Sequence, residues 1–253
     1  MGRFIDRTGE VRFNTFGSEM IITEYRGCDD IDVYFPQYNH TVRKRGYRNF
    51  KKGAIRCPYE PRVCGVGYLG EGDYKSCINN VTTKEYECWL HIITRYYNPN
   101  ASRYKEGYTV CEEWHNFQNF AEWYNDNYYE VEGHEMVVSC GFLTNDKVIT
   151  PDNTIFTPCA INTLRVRRGL SRNYNKYQVM ITYTTLNKEQ HIEYYGLYDT
   201  QEQAKLVYKK EKERIFRELA DEYKEHIPSK LYDYMKNFVL DIEDIRILSE
   251  GEE

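Results

Sequence analysis

The stretch Tyr195-Gly196-Leu197-Tyr198-Asp199-Thr200-Gln201-Glu202-Gln203-Ala204, continuing to Tyr208, reads as a strand that ends at a glycine turn and then enters a capped helix. Thr200 offers its hydroxyl as the N-cap, and Gln203 three residues on completes a capping-box pattern. Ala204, Val207, Tyr208, Ile215 and Leu219 then recur on one helical face. Upstream, residues 176–185 and 191–195 are β-rich runs separated by a polar break at residues 186–190, so the whole reads as a hairpin followed by a helix. Along the first run Tyr177, Val179, Ile181 and Tyr183 share one face, turned to the helix, and Lys176, Gln178, Thr182 and Thr184 share the other. Pro228 stops the helix, and Leu231, Met235 and Phe238 predict one short further helix.

Residues 83–164 form a middle module. Tyr86, Trp89, Leu90, Ile93 and Tyr97 repeat at helical spacing until Asn98-Pro99-Asn100, and Trp114, Phe117, Ala121 and Tyr124 give a second stripe. Such aromatic stripes are read as core. After Gly133 the pattern shifts to short strands at residues 136–142 and 147–149, a turn at Pro151-Asp152-Asn153, and closing segments to Leu164. Residues 61–82 read as a connector. Its Gly65-Val66-Gly67-Tyr68-Leu69-Gly70-Glu71-Gly72 fits neither phosphate-loop spacing and predicts a turn-rich linker. Residues 1–60 read as a small β module, with strands over residues 20–25 and 31–35 joined by a turn at Gly27, Asp29 and Asp30. The fold class is therefore α+β, with a hairpin-sheet-plus-helix module over residues 165–240 and an acidic tail over residues 241–253.

At 253 residues the chain has room for one large domain or two to three small ones. No apolar run is long enough to span a membrane, and the start, MGRFIDRTGEVRF, shows no apolar leader. The eight cysteines have no framework spacing and no C-x-x-C pair, so reduced, mostly packed thiols are expected. The formal charge is −5, but residues 241–253 carry six acids against Arg246 alone. The remainder is charge-balanced, and its bases are clustered. Arg43, Lys44, Arg45, Arg48, Lys51, Lys52 and Arg56 follow one another with no acid between, and Arg165, Arg167, Arg168 and Arg172 precede the hairpin. Each cluster reads either as a solvated loop or as a set of phosphate contacts.

The hairpin-plus-helix unit resembles the AP2-type DNA-binding domain, in which a small sheet lies on DNA with a helix behind it. The order Gly65-Val66-Gly67-Tyr68, Tyr86-x-x-Trp89, Arg95-Tyr96-Tyr97-Asn98, Trp114-x-x-Phe117-x-x-Phe120-x-x-Trp123, Lys147-x-x-x-Pro151, Phe156-x-Pro158 and Ile161-Asn162 resembles HNH nuclease-like proteins of bacteriophages. Those proteins often pair such a core with an AP2-like domain, and the resemblance covers most of residues 9–223. It implies an HNH-like α/β middle module with the AP2-like module behind it.

It also implies where a metal site would stand. The first strand of an HNH hairpin usually carries a Leu-Asp-Lys-Asp type motif, and here that stretch reads Val137-Val138-Ser139-Cys140. Valine cannot ligate a hard cation, and a single cysteine is a poor ligand for Mg²⁺. No catalytic residue, metal or cofactor is therefore assigned, although His134 with Glu132 and Glu135 leaves a displaced site open. Cys111 and His115 are spaced to share a helical face, and without a third group they read as packing. The first AP2 strand is poorly matched by Gly169-Leu170-Ser171-Arg172-Asn173.

Two functional expectations follow. The first is a phage-encoded DNA-binding protein of the host cytoplasm, descended from an HNH/AP2 homing-endonuclease-like ancestor and without nuclease activity. Its double-stranded DNA contacts would be Arg43, Lys44, Arg45, Arg48, Lys51, Lys52, Arg165, Arg167, Arg168, Arg172, Lys176, Gln178 and Thr182. The alternative is an anti-defence protein that captures a host antiphage nuclease complex, of the anti-Gabija type. It draws on the tyrosine content (25 of 253), since tyrosine supplies rigid amphipathic contact area. Self-association stays open.

Overall fold

The computed structural model describes residues 5–144, 146–166 and 169–248 and mixes helices with several small sheets. The chain divides into two compact units, Met1–Asn125 and Asp126–Glu253. The division falls inside the expected middle module. No helix among the described residues is long and apolar enough to cross a membrane.

In the first unit, β1 (Val11–Phe13), β2 (Glu19–Gly27), β3 (Asp30–Phe35) and β4 (His40–Arg45) form an antiparallel meander in that order. The alternation in β3 sends Ile31, Val33 and Phe35 into the core, all fully buried. They meet Met20 and Ile22 of β2, Val42 of β4 and Phe50 of the short helix α1 (Tyr47–Lys51). Gly53, at φ +66°, ends α1. A Cβ there would stand 3.0 Å from the Phe13 carbonyl oxygen, so the close backbone crossing requires glycine.

A small hairpin, β5 (Cys77–Ile78) with β6 (Val81–Thr82), leads into α2 (Lys84–Tyr97), which buries Trp89, Ile92, Ile93 and Tyr96. Strand β7 (Thr109–Val110) and a 3-10 turn (Glu112–His115) precede α3 (Phe117–Asn127). The aromatic stripes are core in part: Trp89, Ile93, Trp114, Phe117 and Ala121 are buried, whereas Tyr86, Leu90, Tyr97 and Tyr124 are half-buried. Trp89 packs on Phe117, and its indole N–H donates to the Trp114 carbonyl at 2.7 Å. Residues 65–72 are not a free linker. Tyr68 exchanges backbone hydrogen bonds with His115 and Phe117, and Gly67 sits where a Cβ would touch the Trp89 ring at 3.0 Å.

In the second unit, β8 (Met136–Ser139) pairs antiparallel with β10 (Ile155–Pro158), with the short β9 (Val148–Ile149) between them in sequence. A 3-10 turn (Pro151–Asn153) capped by Thr150 enters β10, and α4 (Cys159–Val166) follows it. Next come β11 (Gly169–Asn173), β12 (Lys176–Thr184), β13 (Gln190–Tyr198), α5 (Gln201–Tyr223), α6 (Ser229–Lys236) and β14 (Arg246–Leu248). The sheet order is β13-β12-β11-β14, antiparallel except for the β11–β14 pair.

Thr200 caps α5, accepting the Gln203 N–H at 3.3 Å, and α6 buries Leu231 and Met235 as the spacing predicted. One core joins Ile161 and Leu164 of α4, Val179 and Ile181 of β12, and Phe216 and Leu219 of α5, so residues on both sides of position 164 share it. Each large apolar side chain so buried contributes about 1.5–3 kcal/mol.

One expectation is corrected. The strand does not end at Gly196. It continues to Tyr198 through a bulge in which Tyr195 is extra, because the register passes from Val179↔Gly196 to Met180↔Tyr194. Gly196 takes φ +113°, a conformation only glycine adopts at low cost, so the strand can absorb the extra residue rather than turn.

Candidate nucleic-acid interface

Six of the seven clustered bases lie on β4 and around α1, and the seventh follows just after. Pairing between β3 and β4 slips between Ile31↔Arg45 and Val33↔Val42, and Lys44 adopts φ +54° there. Asp32, mostly buried, holds that irregularity by accepting the Lys44 N–H at 3.0 Å. The effect is to turn Arg43, Lys44 and Arg45 outward, all exposed. In α1 the buried Phe50 fixes the inner face, so Arg48, Lys51 and Lys52 face solvent. Arg56 lies with its guanidinium carbon 4.7 Å from the centre of the Phe16 ring.

None of these seven cations has a carboxylate within ion-pair distance among the described residues. The nearby acids are taken by another residue. Arg26 binds Glu24 at 2.6 Å, Asp30 at 2.7 Å and Asp32 at 2.6 Å. Its hydrogen bonds, with Lys44 and Arg43 close by, hold the Asp30 and Asp32 carboxyls below the ordinary aspartate range. Three carboxylates of the β2–β3 hairpin are thus engaged by Arg26, and the outward cations are left to solvent.

The second set of expected contacts is arranged differently. Arg165 donates to the Tyr234 hydroxyl at 3.1 Å and to the Gly141 carbonyl at 3.2 Å, and it stacks 4.4 Å from the Phe142 ring centre. Its guanidinium is engaged in the fold. Arg167 and Arg168 lie outside the described residues. Arg172 stands opposite Tyr177, which packs on the core, and so belongs to the face turned toward α5. Lys176, Gln178 and Thr182 do share the opposite, outer face, but Lys176 is paired with Asp199 at 2.9 Å. That outer face is less polar than expected. Gln178 stands opposite Leu197, Met180 opposite Tyr194 and Thr182 opposite Ile192, and Ile192 and Tyr194 are 62% and 58% exposed. Charge follows the same division: Met1–Asn125 has one more base than acid, and Asp126–Glu253 has six more acids than bases.

The β8–β10 pair is followed by α4, with Val138 opposite Phe156. At its centre the Ser139 and Thr157 hydroxyls are 2.7 Å apart and buried. His134 donates from Nε2 to the Leu186 carbonyl at 2.8 Å and meets Tyr223 edge-on. His115 Nε2 lies 2.9 Å from the Tyr97 hydroxyl, and burial pushes the Cys111 thiol above its usual range. Among the described residues, no group of three or more His, Cys, Asp or Glu side chains is placed to share a metal ion. All eight cysteines are unbridged, and Cys28, Cys64 and Cys77 are exposed rather than packed.

Sequence reading missed Arg26, whose role depends on three acids gathered by a hairpin. It also missed Arg62 and Lys75, which join Arg45 and Arg56 around one cavity. No periodicity links those four positions. No protein-family model matches the chain, and no match is found among curated proteins or among solved structures.

Proposed function

We propose that the chain is a DNA-binding protein that lays the cationic face of β4 and α1 along the phosphate backbone. The observation that carries this reading is the set of seven exposed cations without a carboxylate partner among the described residues. Cations already paired gain little from a phosphate, whereas unpaired ones release condensed counterions when they meet one. The reading keeps the HNH/AP2 descent, a phage origin, the host cytoplasm and the absence of nuclease activity as parts of the proposal. Two arrangements support that descent: the antiparallel β11–β12–β13 sheet backed by α5, and the strand-strand-helix order of β8, β10 and α4. Within it, contact is centred on the first unit, because the second is acidic and several of its cations are engaged.

The test is fluorescence anisotropy with a labelled duplex at increasing salt. Wild type should bind at about 50 mM salt, and the triple variant Arg48→Ala, Lys51→Ala, Lys52→Ala should lose about 0.9 from the log–log salt slope per cation removed. No binding at low salt overturns the reading.

A second reading has its own support. The exposed Ile192, Tyr194, Leu197 and Met180 on the outer sheet face suit a protein surface better than a phosphate backbone. That is the face an anti-defence protein of the anti-Gabija type would offer to a host nuclease complex. The readings separate by what elutes with the native protein, nucleic acid or a stoichiometric host protein.

A further inference from the structure

An open cavity of about 470 Å³ lies within the first unit, beside the cationic face. Its size is that of a small-molecule site. Arg45, Arg56, Arg62 and Lys75 line it, against the single carboxylate of Glu71. Arg45, Arg56 and Lys75 have no ion-pair partner among the described residues. Arg62 is held from behind. It donates to the Cys57 carbonyl at 3.2 Å, and its Nε stands 3.9 Å from Glu60, a carboxylate 3% exposed that already accepts from Asn14 and Ser18. Burial, and then repulsion from Arg56, push the Arg62 guanidinium below its ordinary value.

The opposite wall is rigid. Gln118 accepts the Tyr74 N–H at 3.1 Å and donates to the Leu69 and Tyr74 carbonyls at 3.2 and 3.0 Å. Gly70, at φ +67°, and Gly72 let that loop lie against the helix, since a Cβ on either would come within 2.1 Å of Asn116 or 2.3 Å of Gln118. Tyr74 supplies ring surface and Leu69 apolar surface beside the cations, over the buried Phe117. Convergent cations in a preformed pocket, with one aromatic side, match a charged group attached to a planar one.

We propose that this cavity binds a nucleoside monophosphate, either free or as the 5′-phosphorylated end of a nucleic acid strand, with Arg56, Arg62 and Lys75 on the phosphate. The cavity shares Arg45 and Arg56 with the proposed duplex face, and Arg62 and Lys75 belong to the cavity alone. Titration calorimetry should use deoxyadenosine, dAMP, and single-stranded oligonucleotides with a 5′-phosphate or a 5′-hydroxyl. Wild type should bind dAMP and not deoxyadenosine. Lys75→Ala and Arg62→Gln should each weaken dAMP about tenfold or more, as loss of a charge-assisted hydrogen bond does. Lys75 is exposed, so its variant keeps the test valid if the Arg62 variant fails to fold.

A 5′-phosphate preference of tenfold in the oligonucleotides, with weaker dAMP binding, identifies the strand end as the source. Equal or tighter dAMP binding identifies the free nucleotide. The Arg48, Lys51, Lys52 triple variant should retain dAMP binding, which separates this site from the duplex face. No heat with dAMP or the phosphorylated strand, or equal affinity for deoxyadenosine and dAMP, overturns the proposal, as does binding indifferent to Lys75→Ala.

Discussion

Lys44 carries two demands of opposite sign, and replacing it with glycine separates them. Its φ of +54° is the left-handed conformation, which costs an L-residue about 1–2 kcal/mol relative to the right-handed one. Glycine removes that strain but makes the unfolded chain more flexible, at about 0.5–1 kcal/mol. The backbone N–H that Asp32 holds is kept, and the lost attraction for exposed Asp30 is screened by solvent. Lys44→Gly should therefore stabilise the first unit by about 0.5 kcal/mol. All three tryptophans, Trp89, Trp114 and Trp123, belong to that unit, so tryptophan emission during urea unfolding reports on it alone. With a urea dependence of about 2 kcal/mol per molar, the midpoint should rise by about 0.25 M.

The same change removes one cation from the proposed DNA face. The salt slope should fall by about 0.9, so the affinity gap to wild type should narrow about 3.5-fold between 50 and 200 mM salt. Lys44→Ala serves as the control, with the slope change but no gain in midpoint. A midpoint that falls for Lys44→Gly refutes the strain argument. An unchanged slope refutes the placement of Lys44 on phosphate.

Two further outcomes bear on the second unit. Arg165→Ala leaves the Gly141 carbonyl and the Tyr234 hydroxyl without its guanidinium and strips Phe142 of its stacked cation, so calorimetry should show a loss of about 2–4 kcal/mol. DNA binding by the folded variant should keep its salt slope, and a slope reduced by about one would place Arg165 on phosphate instead. Glu193 accepts from the Tyr183 hydroxyl at 2.6 Å, from Tyr195, and from Arg214 at 2.7 Å, tying β13 to α5. Those hydrogen bonds, Tyr183 first, hold its carboxyl below the ordinary glutamate range. A depressed pKa contributes stability that is present above the unfolded-chain value of about 4.3 and lost as pH falls through the folded value. Glu193→Gln should therefore melt below wild type at pH 7, and the gap should close on acidification to about pH 3. A gap of constant size across that range would show that the charge of Glu193 is irrelevant.

Local sequence was sufficient for the elements. The stripes from Tyr86 to Tyr97, the alternation of Ile31, Val33 and Phe35, and the Thr200 cap all became the helices and strands they predict, because periodicity and capping are settled within a few residues. It was also sufficient to find the bases of residues 43–56, and for Arg48, Lys51 and Lys52 the burial of Phe50 beside them accounts for the exposure. Only tertiary structure decided which cations stay available. Arg165 and Arg45 look alike in sequence, yet one is spent on Tyr234, Gly141 and Phe142 while the other faces an open cavity. Charge pairing depends on which distant groups the fold brings within a few ångströms, and the same holds for Arg26 and its three acids. The outer sheet face gained Ile192 and Tyr194 because the partner strand, not β12, supplies half of it. The alternation of one strand fixes that strand's two faces, and the pairing of strands fixes the surface the protein presents.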